Sequence, residues 1–435
     1  MIFENLKEVS KDKIAIKYLE RVLTYGALTL EIKKRAAALS VLKKDLVLCH
    51  TDELENLLNF LAAMFIGKKA VIAGKQFQHI QSVFDVTTFD FVHQLNYTDS
   101  EVCQIKPSDK DIFLGVLSGG STASPKIIWK DYQSWFSAFP YQSQVFGISD
   151  SDSVFVLDAL GYSANLNSVL HALWQGATVV LGRLQDASQW MRQFEEEHVS
   201  SVFLVPSHYR LLVVSGGKMP GIKSLVSAGE KLDVSTAEQL IAKCPNAVLT
   251  EYYGASELGH VSFQQNQDIV NNPASLGKAF PGVDISIKND KIFVESSYVS
   301  PEYRDSPTVF DLGFIDADGL LFVLGREGRM FNKRGLNIFA EEIENKALLF
   351  QAIKEAVLIE SLNHLGKPKL ELLVVCEAKI VLNKKELREF LLTVLPPQKL
   401  PNKITQVAEL PRTLAGKIDF KAFSKRPVEE EHADA

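Results

Sequence analysis

The feature that most constrains this chain is the alternation of short apolar runs with helical stretches. Asp45, Leu46, Val47, Leu48 and Cys49 read as a strand. Thr51 follows as a helix N-cap, with Asp52 and Glu53 well placed against the helix dipole. That helix carries Leu54, Leu57, Leu58, Leu61, Met64 and Phe65 on one face, Gly67 ends it, and residues 70–73 form the next strand, giving a β-α-β unit. Upstream, residues 23–39 present Leu28, Ile32, Ala36 and Leu39 at helical spacing. Downstream, Asp131 caps a helix with Tyr132, Trp135, Phe136 and Phe139 on one stripe, a pattern that favours core packing over a ligand platform. Further strands are expected at residues 153–157, 177–181, 201–205, 224–226 and 247–249. Such alternation specifies an α/β protein with mostly parallel sheets flanked by helices, which binds ligands at the loops leaving its strand ends.

Past Gly277 the strands shorten and turns appear at Pro281–Gly282 and Asn289–Asp290, as in a small β subdomain. Residues 311–344 are dense in glycine and charge, residues 356–360 and 370–376 read as strands, and residues 384–395 as a helix. These changes divide the chain into a large N-terminal domain (1–327), a small mobile α+β C-terminal domain (328–425) and an acidic tail (426–435) expected to be disordered. At 435 residues, more than one domain is the expectation. A net charge of −6 without a long basic run argues against a nucleic-acid partner. Cys49, Cys103, Cys244 and Cys376 are far apart and form no C-x-x-C pair, which fits free thiols in a reducing compartment. The first residues lack the apolar core of a secretory signal, and the most apolar stretch, residues 57–66, is too short to span a bilayer. No transmembrane segment and a cytoplasmic location are therefore expected.

Residues 118–126 read SGGSTASPK and follow the apolar run of residues 112–117. Glycines let backbone N–H groups approach an anion, hydroxyls add donors, Lys126 adds charge and Pro125 stiffens the exit. The P-loop spacing G-x-x-x-x-G-K-[ST] is absent, and taken alone a Ser/Gly loop is more often a plain connection.

Its companions make it specific. Tyr252–Tyr253–Gly254–Ala255–Ser256–Glu257 resembles the Y-G-x-T-E motif of the adenylate-forming (AMP-binding) superfamily of acyl-CoA synthetases, adenylation domains and luciferases. SGGSTASPK resembles that family's phosphate loop, and Ser275 to Lys278 with Pro281–Gly282–Val283 resembles its S-x-G-x-P-x-P-G-V segment. Asp311, Gly325–Arg326 and Gly335 fall where it has its D-L, G-R and R-G elements, and residues 410–419, LPRTLAGKID, match its L-P-R-T-x-x-G-K-I-D signature. The motifs are collinear and span nearly the whole chain.

The resemblance implies ATP-dependent activation of a small carboxylic acid as an acyl-adenylate, then transfer to a thiol, with ATP, Mg²⁺ and coenzyme A as cofactors and CoA favoured over the phosphopantetheine of a holo acyl-carrier protein. It implies that Ser118, Gly119, Gly120, Ser121, Thr122 and Lys126 hold the β- and γ-phosphates. Ser256 keeps the hydroxyl of the family's threonine, Glu257 ligates Mg²⁺, and Lys417 reaches between the carboxylate and the α-phosphate. Tyr252, Tyr253 and Gly254, with Ala228, Gly229 and Glu230, frame the adenine; Asp311 takes the ribose hydroxyls and Arg326 contacts the ribose or phosphate. Gly328 is the hinge, and Tyr162, Asn165, Val226 and His260 are expected around the acyl group, His260 being equally readable as a structural histidine. Gly119 and Ala123 depart from the family's loop, Gly328 from the usual hinge aspartate or lysine, and the loop arrives early in the chain. A catalytically weakened adenylate-binding partner protein is the competing class, and a luciferase-like oxygenase a more remote one; retention of Lys417, Glu257, Asp311 and Arg326 argues against the former.

Overall fold

The computed structural model describes residues 2–73, 84–96, 111–117, 126–182, 187–333, 336–362, 368–377, 380–412 and 418–423, and every count below is over these. The motif residues 118–125, Gly335 and Lys417, together with Cys103 and the tail 426–435, lie outside them.

The strand–helix alternation builds two mainly parallel sheets. The larger has nine strands, of which six neighbours run parallel in the spatial order Val248–Ala255, Ser224–Ala228, Ser201–Leu204, Ser153–Leu157, Thr178–Gly182 and Ile14–Tyr18. Every residue of Ser224–Ala228 is buried, the behaviour of a central strand covered on both faces. The smaller sheet orders Phe89–Val92, Asp45–Leu48, Ala70–Ile72, Ile112–Leu117 and Ile127–Asp131, with only the last strand antiparallel. Helices Tyr25–Ser40 and Glu53–Phe65 pack together and carry Leu28, Ile32, Leu57 and Leu61 into the core. A four-stranded antiparallel sheet, Val283–Lys288 through Leu321–Arg326, forms the β subdomain. The C-terminal part has its own three-stranded sheet, Ile353–Leu362, Pro368–Cys376 and Lys403–Gln406, over a hydrophobic cluster drawn from Ile338 onward.

Several local expectations needed correction. The helix at residue 53 is capped by Asp52, not Thr51: the Asp52 carboxylate accepts from the Glu55 amide at 3.0 Å and is also gripped by Arg21. The helix expected from residue 23 begins at Tyr25, because residues 21–24 pair with Ile14–Tyr18 in a hairpin turned at Leu19 (φ 54°) and Glu20. That turn contains none of the Asn-Gly or Gly residues that announce a hairpin, so the sequence hid it. The aromatic stripe is split into helices Tyr132–Phe136 and Phe139–Phe146, since Pro140 supplies no N–H and fits only a first turn. The aromatics still form core, Phe113 stacking on Tyr132 with ring centres 4.6 Å apart. Strand Val248–Ala255 runs six residues beyond the expected end at 249 and thereby carries the Tyr-Tyr-Gly-Ala motif within the strand.

Candidate active site

The site assembles at the C-terminal ends of the parallel strands of the large sheet. Ala228 pairs in register with Tyr252, and Gly229 leaves its strand at φ +93° beside the motif. The loop after Gly229 is fastened by Glu251, a buried carboxylate that accepts from the Leu232 amide at 2.6 Å, from Lys231 at 2.5 Å and from Gln264 at 2.8 Å. Glu251 was missed in the sequence, although its place directly before Tyr252 could have flagged it. Glu230, by contrast, points to solvent and pairs with Arg210 on the surface.

Tyr252 faces the core, where its ring lies 4.6 Å from His260, while Tyr253 faces the β subdomain. The Tyr253 hydroxyl donates to Asp311 Oδ2, and Arg326 Nε donates to Asp311 Oδ1 at 2.9 Å. Asp311 and Arg326 are direct cross-strand partners, so sheet register sets this contact. Asp311 is buried and Arg326 largely exposed. Burial and the neighbouring Asp311 push the Tyr253 phenol well up, which keeps it a donor. Each Asp311 oxygen thus has one protein donor and a remaining lone pair for a ligand hydroxyl.

After Tyr253 the strand bulges at Gly254 and turns back through Ser256 and Glu257 to Gly259. A Cβ on Gly254 would fall 2.5 Å from the Gly259 carbonyl oxygen, and one on Gly259 (φ +74°) 2.7 Å from Tyr298 Cβ, so the tight turn requires both glycines. The Ser256 hydroxyl lies 2.8 Å from that of Ser163, the first residue of helix Ser163–Gln175. The Ser300 amide donates to the Glu257 carbonyl at 2.8 Å and the Ser300 hydroxyl to the Ser256 carbonyl at 3.2 Å, while the Glu257 carboxylate makes no hydrogen bond among the described residues. Residues 118–126 connect neighbouring antiparallel strands, Leu117 pairing with Ile127, so a strand and not a helix N-terminus follows Lys126.

The expected acyl residues separate. Tyr162 is half exposed at the helix N-cap, and Val226 is core, its carbonyl accepting from Tyr209. Asn165 is a fastener, its amide donating to the Leu157 and Asp158 carbonyls at 2.8 and 3.0 Å. His260 is buried between Tyr252 and Phe280, and its Nε2 lies 3.0 Å from Gln142 Nε2, which also donates to Asn167 Oδ1 at 2.6 Å. An amide donor at that distance requires an unprotonated Nε2. Burial, aided by His171 and Lys130, lowers His260 to about 3, so it is neutral. Gln142 and Asn167 were also missed; the signal was a glutamine at helical spacing between Phe139 and Phe146.

The family model described as AMP-binding enzyme matches residues 68–295. The chain belongs to the AMP-binding enzyme family. Over 325 residues it is 30% identical to the uncharacterized acyl–CoA ligase YhfT of Bacillus subtilis, covering 70% of this chain and 66% of that protein. It is 24% identical to the 2-succinylbenzoate–CoA ligase of Listeria innocua, over 82% of this chain and 79% of that one. The o-succinylbenzoate CoA synthetase MenE of Bacillus subtilis, solved with its acyl-adenylate intermediate, superposes with a TM-score of 0.85 at 19% identity, covering 99% of both chains. That likeness establishes the adenylate-forming fold, with its large parallel-sheet part and smaller C-terminal sheet part.

Proposed function

We propose that this enzyme joins a small carboxylic acid to ATP, releasing pyrophosphate, and then passes the acyl group to the thiol of coenzyme A, releasing AMP. The observation that carries the reading is the Tyr253–Asp311–Arg326 cluster beside Gly229, one turn from Ser256 and Glu257. It offers a ring, two acceptor oxygens and a cation in the order that a base, a ribose and a phosphate need. The acyl–CoA ligase relatives point to the same chemistry.

In the first step a carboxylate oxygen attacks the α-phosphorus and the α–β bridging oxygen leaves with pyrophosphate. In the second, the thiol sulfur attacks the acyl carbon, the acyl–phosphate bond breaks and the thiol proton is lost. Both reactants of the first step are anionic, so positioning and charge neutralisation are the protein's main contributions. Lys126 and the loop hydroxyls hold the leaving pyrophosphate, and Lys417 bridges carboxylate and α-phosphate. Among the described residues no three His, Cys, Asp or Glu side chains cluster as a metal cage. Glu257, whose carboxylate makes no hydrogen bond among the described residues, suits a Mg²⁺ held otherwise by phosphate oxygens and water, a common mode for that ion. The ion would neutralise phosphate charge.

The second step calls for rotation of residues 328–425 about Gly328, an exposed position where even a Cβ would meet nothing within 4 Å. A cytoplasmic location, where ATP and coenzyme A are at hand, belongs to this reading; among the described residues no helix is long and apolar enough to cross a membrane. The reading is tested by following AMP and acyl-CoA formation over aryl, short, medium and long acids; ADP as product, or AMP without thioester for every acid with CoA but thioester with a holo carrier protein, would redirect it.

A further inference from the structure

Arg329 stands directly after the hinge Gly328 and has no part in the chemistry above. Its guanidinium grips Glu344 with both Nη atoms, at 3.1 and 2.5 Å, and reaches Glu341 through Nη1 at 3.0 Å, both carboxylates coming from helix Ala340–Ala347. Glu344 is buried and also accepts from the Leu358 amide at 2.6 Å, which ties the fork to strand Ile353–Leu362. The same guanidinium lies over the ring of Phe420, with Cζ 4.3 Å from its centre. A flat, delocalised cation serves carboxylates with its edge and an aromatic ring with its face; a compact ammonium does not.

The fork to Glu344 alone would hold the helix to its sheet, whereas the other two contacts lead to the two sides of the reaction. Glu341 leads to the nucleotide. Its Oε2 is buried without a hydrogen-bond partner among the described residues and lies so close over Gly325 that a Cβ there would collide with it. Gly325 precedes Arg326, whose Nε donates to Asp311. Phe420 leads to the lysine, which it follows by three residues. The segment after Lys417 is fastened where Ile418 bridges Arg412, where the Asp419 amide donates to the Pro411 carbonyl at 2.8 Å, and where Phe423 is buried with Val357 and Leu373. Arg329 thus joins, across the hinge, the strand that carries Arg326 to the segment that follows Lys417. An ammonium that must bridge two anions tolerates little error, since a displacement of about 1 Å in a reacting arrangement costs on the order of 10²-fold in rate.

We propose that Arg329 is the positioning residue for Lys417: it docks the C-terminal part on the nucleotide-binding strand through Glu341 and sets the segment after the lysine through Phe420. When residues 328–425 rotate for the second step, Arg329, Glu341 and Phe420 travel together and the contact with Gly325 is given up. The proposal rests on the functional reading above, and it confines the defect of an Arg329 variant to the first step.

The test compares the wild type with Arg329→Lys, which keeps the charge but loses the fork and the stacked plane, and with Phe420→Leu, which removes the ring and leaves both ion pairs. Three measurements are made: pyrophosphate exchange with whichever of benzoate, octanoate or succinate the wild type activates, single-turnover transfer of that acid's preformed adenylate to coenzyme A, and trypsin cleavage after Lys417 with and without MgATP, read by mass spectrometry. Both variants should lower kcat for exchange about 10- to 100-fold, with KM for ATP and acid within about threefold of wild type and transfer to coenzyme A unchanged. Combined, they should cost little more than the larger single loss, because they cut one connection. MgATP should protect the Lys417 bond in the wild type and protect it far less in either variant. Equal loss of both half-reactions would make Arg329 a structural fastener and overturn the proposal, as would protection that survives in both variants or is absent from the wild type. If the wild type exchanges no pyrophosphate while MgATP protects Lys417 through Arg329, the adenylation reading fails and the positioning role stands.

Discussion

Acidification from pH 7 to about pH 5 should destabilise this protein through two neutral histidines buried near the site. Burial lowers His171 and His260 from 6.5 to about 3 each, the pair also opposing each other's protonation at His260. Above pH 6.5 neither the folded nor the unfolded state binds a proton there, so no stability is lost. Below it the unfolded chain takes up a proton that the folded state refuses, and stability falls by about 1.4 kcal/mol per pH unit per histidine until the folded value is reached. At pH 5 this amounts to about 2 kcal/mol each and about 4 kcal/mol for the pair, and the figure is the same for any folded value below about 4. His208, also lowered by burial, adds in the same direction. Among the carboxylates, burial raises Asp152, but the Ser149 and Ser200 hydrogen bonds and Lys223 hold it below the usual range, so its contribution is lost only at lower pH, whereas Glu341, raised by burial, works against the histidines in this window. Urea unfolding followed by tryptophan fluorescence reads the effect, since Trp174 lies 6.3 Å from His171 in the same core. His260→Asn should roughly halve the pH sensitivity. Equal stability at pH 7 and pH 5, within about 1 kcal/mol, would refute the burial of neutral imidazoles.

Other substitutions probe separate links. Tyr253→Phe removes the donor to buried Asp311 and should raise the KM for ATP about tenfold, read in pyrophosphate exchange. Gly259→Ala forces a side chain into a φ +74° position against Tyr298 and should cost about 1–3 kcal/mol in urea unfolding. Gly328→Pro should leave adenylate formation intact and stop thioester formation in single-turnover assays; equal loss of both half-reactions would remove Gly328 as the hinge. Lys417→Ala should slow adenylation about 10²–10³-fold with the fold unchanged by circular dichroism.

The large architecture was legible because parallel strands buried on both faces write continuous apolar runs, as at Ser153–Leu157 and Ser224–Ala228. Motif order picked out Tyr253, Asp311 and Arg326 as candidates, and sheet register brings the three together. Polar residues acting inside the core were not legible. Gln142, Asn167, Glu251 and Lys130 occupy positions whose spacing predicts burial but whose chemistry predicts solvent, and only the folded neighbours reveal how each is accommodated. Asn165 shows the converse: a polar residue near the acyl region whose donors are consumed by backbone carbonyls. The hairpin at Leu19–Glu20 was hidden because its turn lacks the residues that ordinarily adopt that conformation.

The central claim is acyl-adenylate formation, and exchange of labelled pyrophosphate into ATP without coenzyme A measures it most directly. The account predicts Mg²⁺-dependent exchange that requires a carboxylic acid and disappears in Lys417→Ala. Tight ATP binding with no exchange for any acid across the panel would contradict it and leave a nucleotide-binding protein that does not activate carboxylates.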